Sequence, residues 1–311
     1  MQTVGIIGGS GFIGSYITKI FLEEGFKVKI SSTDINNKSK YEHLYSLTNA
    51  ANIEILPLDI SSEKLLNEFV SNCDILVHAG TPFILEFKDA HKEIFEPTVT
   101  GTQNFLNVIK NSKSLKKVVL IASVAAWNTS FPLTPTHYPA NHLFSEQDTP
   151  YMSEQDHPYA QAKFLANMEV SKYINEHSNL PFEIVSLSPT WVVGNALSQR
   201  KDSTSAGMQF LIKNKIAEDP FVQMLFATDA MFSMIDVRDV AEAVFQAATT
   251  FGLHGKNYLI ANESYTVSDI SRMLNNEPPI AEPIIVYDSS LAKTDLGIAF
   301  ISIKETLNHC I

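Results

Sequence analysis

Tyr159 and Lys163, in the run Tyr-Ala-Gln-Ala-Lys, are spaced i, i+4, which places them on one helix face a turn apart. A free phenol titrates at about 10 and is a poor proton shuttle at neutral pH. A lysine ammonium at about 5 Å, with an effective dielectric of roughly 20, stabilises the phenolate by about 3 kcal/mol and lowers its pKa by about two. That suits general acid–base catalysis. Ser123 follows the apolar run Val118–Ile121, so it falls at the carboxyl edge of a sheet, where open α/β sheets bind ligands. From there its hydroxyl can hold a carbonyl oxygen while Tyr159 protonates it. Each feature alone is common: the Tyr/Lys pair also reads as an exposed helical pair, and the serine as a strand-end residue. Their order along the chain makes them support one another.

The second constellation is Gly8-Gly-Ser-Gly11-Phe-Ile-Gly14, directly after the apolar run Thr3–Ile7 and before a helix starting near Ser15. Gly8 permits a tight turn, Gly11 lets backbone approach a pyrophosphate, and Gly14 lets helix pack on strand; the helix N-terminus supplies amides to the phosphates. Gly8, Ser10, Gly11, Phe12, Ile13 and Gly14 are therefore candidate dinucleotide contacts. After the second strand stand Ser31-Ser32-Thr33-Asp34, then Lys38 and Lys40. An NAD site usually places an acid at that strand end. Here Ser32 or Thr33 takes the discriminating position, and two hydroxyls with Lys38 nearby suit a 2′-phosphate better than a bare diol. NADP is the favoured cofactor and NAD the alternative; Asp34 as a turn cap with a solvated Lys38 leaves the preference open. Asp59, after the third strand, is placed to touch an adenine or to serve a turn.

These residues need a scaffold. Thr3–Ile7, Lys27–Ser31, Asn52–Leu56, Asp74–His78 and Lys117–Ile121 read as strands, nearly continuously apolar as in sheets buried on both faces. Gly14–Gly25, Lys40–Ala50, Ser62–Asn72 and Glu93–Asn111 carry helical spacing, followed by a helix at Pro158–Glu176 and a strand at Glu183–Leu187. A proline-rich loop, Trp127–His157, interrupts the alternation. Beyond Pro189, Ala206–Glu218, Val240–Thr249 and Val267–Leu274 look helical. The pattern predicts an α/β fold: a Rossmann-type doubly wound parallel sheet with a smaller interleaved C-terminal lobe. Residues 1–188 form the dinucleotide-binding body carrying Ser123, Tyr159 and Lys163. Residues 189–311 form mainly a substrate-binding lobe, with 230–250 returning to the body.

Composition excludes several classes. The 311 residues carry a net charge of -11, with no basic footprint for nucleic acid or a membrane surface. The longest apolar run, Val118 to Trp127, is too short to span a bilayer. Ile6 to Phe21 imitates a signal peptide but lacks a basic n-region and is broken by glycines, so it reads as folded sequence. Cys73 and Cys310 show no pairing motif, as in a reduced, cytoplasmic protein. His137 and His142 lie in a Pro-rich loop without a completing ligand, so no metal is expected. His78 reads as a strand-end residue satisfying backbone. No Gly-x-Ser-x-Gly elbow supports hydrolysis. Phe83, Trp127, Tyr151, Trp191, Phe226 and Phe232 are aromatics near the predicted mouth, as substrate wall or core.

The whole chain resembles the extended short-chain dehydrogenases/reductases, most of all the dihydroflavonol reductase, cinnamoyl-CoA reductase and aldehyde/ketone reductase group. The likeness rests on Gly8–Gly14, His78-Ala-Gly-Thr-Pro-Phe83, Pro97–Asn104, Val118–Ser123, Tyr159–Lys163, Ser188–Gly194 and Ile235–Val240. It implies a catalytic Ser123, Tyr159 and Lys163, with Lys163 also on the nicotinamide ribose. It further implies Ala79, Gly80 and Thr81 along the cofactor, Pro189 and Thr190 beside the nicotinamide, and Asp59 and Ile60 beside the adenine. Asp236 and Asp239 would tie lobe to body, and a homodimer would form through helices near Thr98–Lys110 and Tyr159–Glu176. Thr33 departs from the group, which often has an arginine there for the 2′-phosphate. The segment Trp127–His157, with Glu146, Asp148, Glu154 and Asp156, matches no substrate pattern.

The resulting expectation is an NAD(P)H-dependent reductase of a small-molecule ketone or aldehyde. A nucleotide-sugar epimerase or dehydratase is the runner-up, with Arg200, Lys201, Lys213 and Lys215 as diphosphate candidates; Val124 and Ala125, not acids, follow Ser123. A non-catalytic NADP-binding protein is the third reading.

Overall fold

β-Branched and aliphatic runs build a seven-stranded, all-parallel sheet in the computed structural model, which describes residues 1–80, 87–177, 179–200 and 203–310. In chain order the elements are β1 (Thr3–Ile7), α1 (Phe12–Glu23), β2 (Lys27–Ser32), β3 (Ile53–Pro57), α2 (Glu63–Val70), β4 (Ile75–His78), α3 (Gly101–Ile109) and β5 (Lys117–Ile121). Next come α4 (Pro158–Glu176), β6 (Glu183–Pro189), β7 (Trp191–Val193), α5 (Thr204–Asn214), α6 (Pro220–Ala227), β8 (Met231–Asp236) and α7 (Val237–Thr249). The chain closes with β9 (Asn257–Ile260), β10 (Ser264–Thr266), α8 (Val267–Leu274), α9 (Ser290–Leu296) and α10 (Ile303–Asn308). The large sheet runs β3-β2-β1-β4-β5-β6-β9, and β10-β8-β7 make a small second sheet.

Successive strand residues point to opposite faces, and each face has its own core. Val4, Ile6, Ile75, Val77, Val119, Val185 and Leu187 pack with Ile17 and Phe21 of α1 and Val240 and Val244 of α7. Ile7, Leu76, Val118, Leu120 and Ile184 pack with Phe69 of α2, Phe105 of α3 and Val170 of α4. This is the doubly wound sheet the sequence predicts. The strand order reverses between β1 and β4, and Ala79 N–H donates to Ile7 O at 2.9 Å. Gly8 and Ala79 therefore leave the sheet together, opening a crevice at its carboxyl edge.

Three expectations change. Lys40–Ala50 is not an α-helix but short 3₁₀ segments, Lys38–Lys40, Glu42–Ser46 and Ala50–Asn52. Tyr41, Leu44 and Leu47, which face the core, recur every third residue, the period of a 3₁₀ rather than an α turn. Glu93–Asn111 divides into a π-helical stretch, His91–Thr100, and α3; Pro97 lacks the N–H that a regular ladder needs there. The helix expected over Ala206–Glu218 stops at Asn214, Lys215 taking φ 56°, and α6 follows, capped by Asp219 at Phe221 N. The chain returns to the large sheet through α7, which packs against α1, and β9; β8 stays in the small sheet.

Candidate functional site

The β1–α1 turn forms one end of the crevice. Gly8 adopts φ +81°, and a Cβ there would lie 2.7 Å from Gly80 Cα. Its N–H donates to Ser31 Oγ at 2.9 Å, fixing the turn to β2. A Cβ on Gly14 would stand 2.0 Å from Gly8 O, so only glycine lets α1 start this close to β1. Gly11 caps α1 without any side-chain hydrogen bond, and no acid occupies the first turn. The first-turn amides are thus oriented for an anion. A groove of about 610 Å³ runs from here past Ser10, Phe12, Ile13, Ser32, Thr33, Asp59, Ile60, Ala79 and Gly80.

Lys38 does not line that groove. Lys40 does, its Nζ donating to Thr33 Oγ1 at 2.7 Å. Asp34 turns its carboxylate to Asn36 N at 3.0 Å. Asp59 Oδ1 accepts from Ser61 N and Oγ, at 2.9 and 2.7 Å, and these bonds hold the carboxyl below the usual carboxylate range. Thr81, with Phe83 and Lys201, lies outside the described residues.

The groove continues, through shared walls at Ile13, Ala79 and Ser205, into a cavity of about 210 Å³. Ser123, Tyr159 and Lys163 all face it, with Pro189 and Thr190 opposite. Ser123 leaves β5 extended and its Oγ accepts Ala125 N–H at 3.2 Å. Tyr159 sits in the first turn of α4, where Pro158 sets the backbone and His157 Nδ1 accepts Tyr159 N–H at 3.1 Å. Lys163, one turn on, donates to Ile121 O at 3.3 Å and lies 6.0 Å from the Tyr159 ring centroid. Sequence reasoning missed His157 and Thr129, both on the cavity wall.

The electrostatics correct one expectation. Lys163 does not bring the Tyr159 phenol down. Burial pushes it up, and the hydrogen bond from Ser123 opposes only part of that. The same burial holds the Lys163 ammonium down at about 8. Desolvation acts on both partners and outweighs their attraction. His78, behind the site against Phe105, is driven to about 4 by burial and then by Lys163. At neutral pH the cavity therefore presents a protonated phenol, a hydroxyl and a mostly charged amine: a proton donor with a counter-charge for the anion it leaves.

A nicotinamide dinucleotide fits this surface. The glycine turn is a cradle that side chains would fill, and at the other end Thr190 Oγ1 is buried in the cavity wall with no hydrogen-bond partner among the described residues.

Of the aromatics noted in the sequence, Trp191 and Phe232 line the cavity, stacked at 4.8 Å and joined by Phe131, Phe221 and Met208. Trp127, Tyr151 and Phe226 are not on its wall. Acids of the Trp127–His157 segment hold the loop: Glu146 accepts Leu259 N, Asp148 accepts Ser145 N, and Asp156 accepts the Thr129 and Ser130 hydroxyls. Asp236 caps α7 and accepts from Arg238 and Thr306, while Asp239 accepts Ile301 N at 2.9 Å. Burial raises Asp239 to about 7. Among the described residues no cluster of three or more His, Cys, Asp or Glu could hold a metal ion, and no helix is long and apolar enough to cross a membrane.

A sequence model described as the NAD dependent epimerase/dehydratase family matches residues 4–261. Cinnamoyl-CoA reductase CAD2 of Medicago truncatula is 28% identical over 98% of this chain and 94% of its own length. An anthocyanidin reductase of Vitis vinifera is 23% identical, covering 89% of this chain and 81% of the relative. Among solved structures, yeast methylglyoxal/isovaleraldehyde reductase Gre2 complexed with NADPH superposes with a TM-score of 0.79, at 22% identity over 99% of this chain and 96% of that one. Gre2 of Candida albicans, also in complex with NADPH, gives 0.81 at 23% identity, covering 99% and 96%. These two structural likenesses speak to the fold.

Proposed function

The chain belongs to the NAD-dependent epimerase/dehydratase family, and we propose that within it the protein is an NADPH-dependent reductase of a ketone or aldehyde, NADH being the alternative cofactor. The observation that carries this reading is the convergence of Ser123, Tyr159 and Lys163 on one cavity continuous with the glycine-turn groove. The reductase names of the relatives support it. When bound, a reduced nicotinamide supplies a hydride to the carbonyl carbon. Ser123 and Tyr159 hydroxyls donate to the carbonyl oxygen, Tyr159 gives up its proton, and Lys163 balances the phenolate until solvent reprotonates it. Pro189 and Thr190 flank the nicotinamide position; Ala79 and Gly80 the central portion; Asp59 and Ile60 the adenine.

Lys163 is the only cation among the described residues lining the cavity, which supports an uncharged substrate over a sugar diphosphate. In this reading residues 1–188 bind the cofactor, and 189–311 mainly shape the substrate site, with 230–250 returning to the body. We also place the protein in the cytoplasm, supported by two free thiols, Cys73 and Cys310. A homodimer through α3 and α4 is supported by exposed Met168 beside Phe164.

The test is NADPH and NADH oxidation against aliphatic, aromatic and α-dicarbonyl compounds. Tyr159→Phe should lower kcat about 10²- to 10⁴-fold, the usual share of a general acid, with NADPH affinity within about twofold. Near-normal turnover in that variant rejects the assignment. Tight NADPH binding without reduction of any carbonyl favours a binding protein instead.

A further inference from the structure

Ser123 and Tyr159 come from different elements, with the Trp127–His157 segment between them, so their hydroxyls need a tie that holds them in register. After Ser123 the chain makes a tight turn, Ala126 N–H donating to Ser123 O at 2.8 Å and Asn128 N–H to Val124 O at 2.9 Å. Thr129 follows, buried on the cavity wall. On the other side Asp156 precedes His157, whose Nδ1 accepts Tyr159 N–H at 3.1 Å and so caps α4.

The two approaches meet at one carboxylate. Thr129 Oγ1 donates to Asp156 Oδ2 at 2.5 Å, and Ser130 Oγ donates to the same oxygen at 2.8 Å. Thr129 Oγ1 also accepts Ser153 N–H at 3.0 Å, so the hydroxyl has both its proton and its lone pair engaged. Hydroxyl–carboxylate bonds are charge-assisted, and burial strengthens them. Asp156 is tied to α4 as well, its carbonyl oxygen accepting Gln161 Nε2 at 2.7 Å. Pro158 fixes φ where α4 begins, so a shift of Asp156 is passed on to Tyr159. A second acid, Asp148, anchors the same loop farther along, at Ser145 N and His142 Nε2, and neither it nor Ser145 lines the cavity.

We propose that Thr129 and Asp156 are positioning residues for carbonyl reduction: their bond sets the separation of the Ser123 and Tyr159 hydroxyls. They act through Tyr159. The proposal rests on the reductase reading, which Tyr159→Phe tests separately. Reduction is measured with the fastest-reduced member of the aliphatic, aromatic and α-dicarbonyl panel, isovaleraldehyde, benzaldehyde and methylglyoxal among them. The variants are Thr129→Val, Thr129→Ser, Asp156→Ala, Thr129→Val with Asp156→Ala, and Asp148→Ala, each with kcat, KM, NADPH affinity by nucleotide fluorescence, and Tm.

Thr129→Val, which removes the hydroxyl and keeps the shape, should lower kcat about tenfold, part of the 10²-fold that a misplacement of about 1 Å costs. KM and NADPH affinity should stay within about threefold, because the loss falls on the transition state. Thr129→Ser should recover most of kcat. Asp156→Ala should match Thr129→Val, and the double variant should be no slower than the slower single one, since both remove one bond. Asp148→Ala should lower Tm and leave kcat within about twofold, as expected of a loop anchor remote from the cavity. The Thr129 pair carries the test where Asp156→Ala does not fold. A lower Tm with unchanged kcat in Thr129→Val, or a raised KM with unchanged kcat, overturns the positioning role and leaves the reductase reading standing. So does a kcat loss in Asp148→Ala equal to that in Asp156→Ala. Wild type that reduces no member of the panel overturns both.

Discussion

Tyr159 and Lys163 pull against their surroundings in opposite directions, and the outcome decides the direction of chemistry. Burial pushes the phenol up, so it stays a proton donor throughout the neutral range. Burial also lowers Lys163, to about 8, so the charge that must balance a phenolate is lost just above neutrality. Carbonyl reduction needs both the phenolic proton and the ammonium. Its kcat at saturating NADPH should fall as pH rises through about 8, and Lys163→Met should lower the plateau and abolish that limb. A wild-type profile flat to pH 9.5 would refute this role for Lys163. Proximity by sequence predicted a lowered phenol because a spacing of four reports distance alone; the solvent lost by both groups is a property of the assembled cavity.

At the scale of elements, the β1–α1 turn separates two uses of glycine that sequence treats as one motif. A Cβ on Gly14 collides with Gly8 O at 2.0 Å, whereas one on Gly11 comes only to 3.3 Å and stands in the groove. Gly14→Ala should therefore lower Tm and weaken NADPH together. Gly11→Ala should weaken NADPH about tenfold or more, the size of a displaced phosphate contact, while leaving Tm nearly unchanged. Thermal melts beside binding titrations check the pair, and a matching Tm loss in Gly11→Ala would contradict it. Strand positions and α4 were legible because continuous apolar runs and Pro158 with Tyr159 leave little choice of structure. The stretch after β2 was not. Its apolar spacing of three at Tyr41, Leu44 and Leu47 selects tight turns, and those turns bring Lys40, rather than Lys38, to the groove.

Across the whole molecule, the groove runs between the β1–α1 turn on one side and Ala196, Ser198, Arg200 and Ser203–Ser205, after β7, on the other. The segment after β7 is also tied to α1 away from the groove, Tyr16 Oη donating to Asn195 O at 2.9 Å. With a net charge of -11, the protein as a whole repels an anionic cofactor, so a dinucleotide in the groove would depend on local amides and Lys40. A ligand held by both walls stabilises both. At a free concentration of about 100 times Kd it adds about 2.7 kcal/mol, which slows globally controlled amide exchange about 100-fold. NADPH should therefore protect amides of α5, Thr204–Asn214, as well as those of α1, in hydrogen–deuterium exchange. Protection confined to α1 and β2 would mean that the lobe does not close on the cofactor. The Trp191 and Phe232 wall, carried by the same lobe, would then be placed independently of cofactor binding.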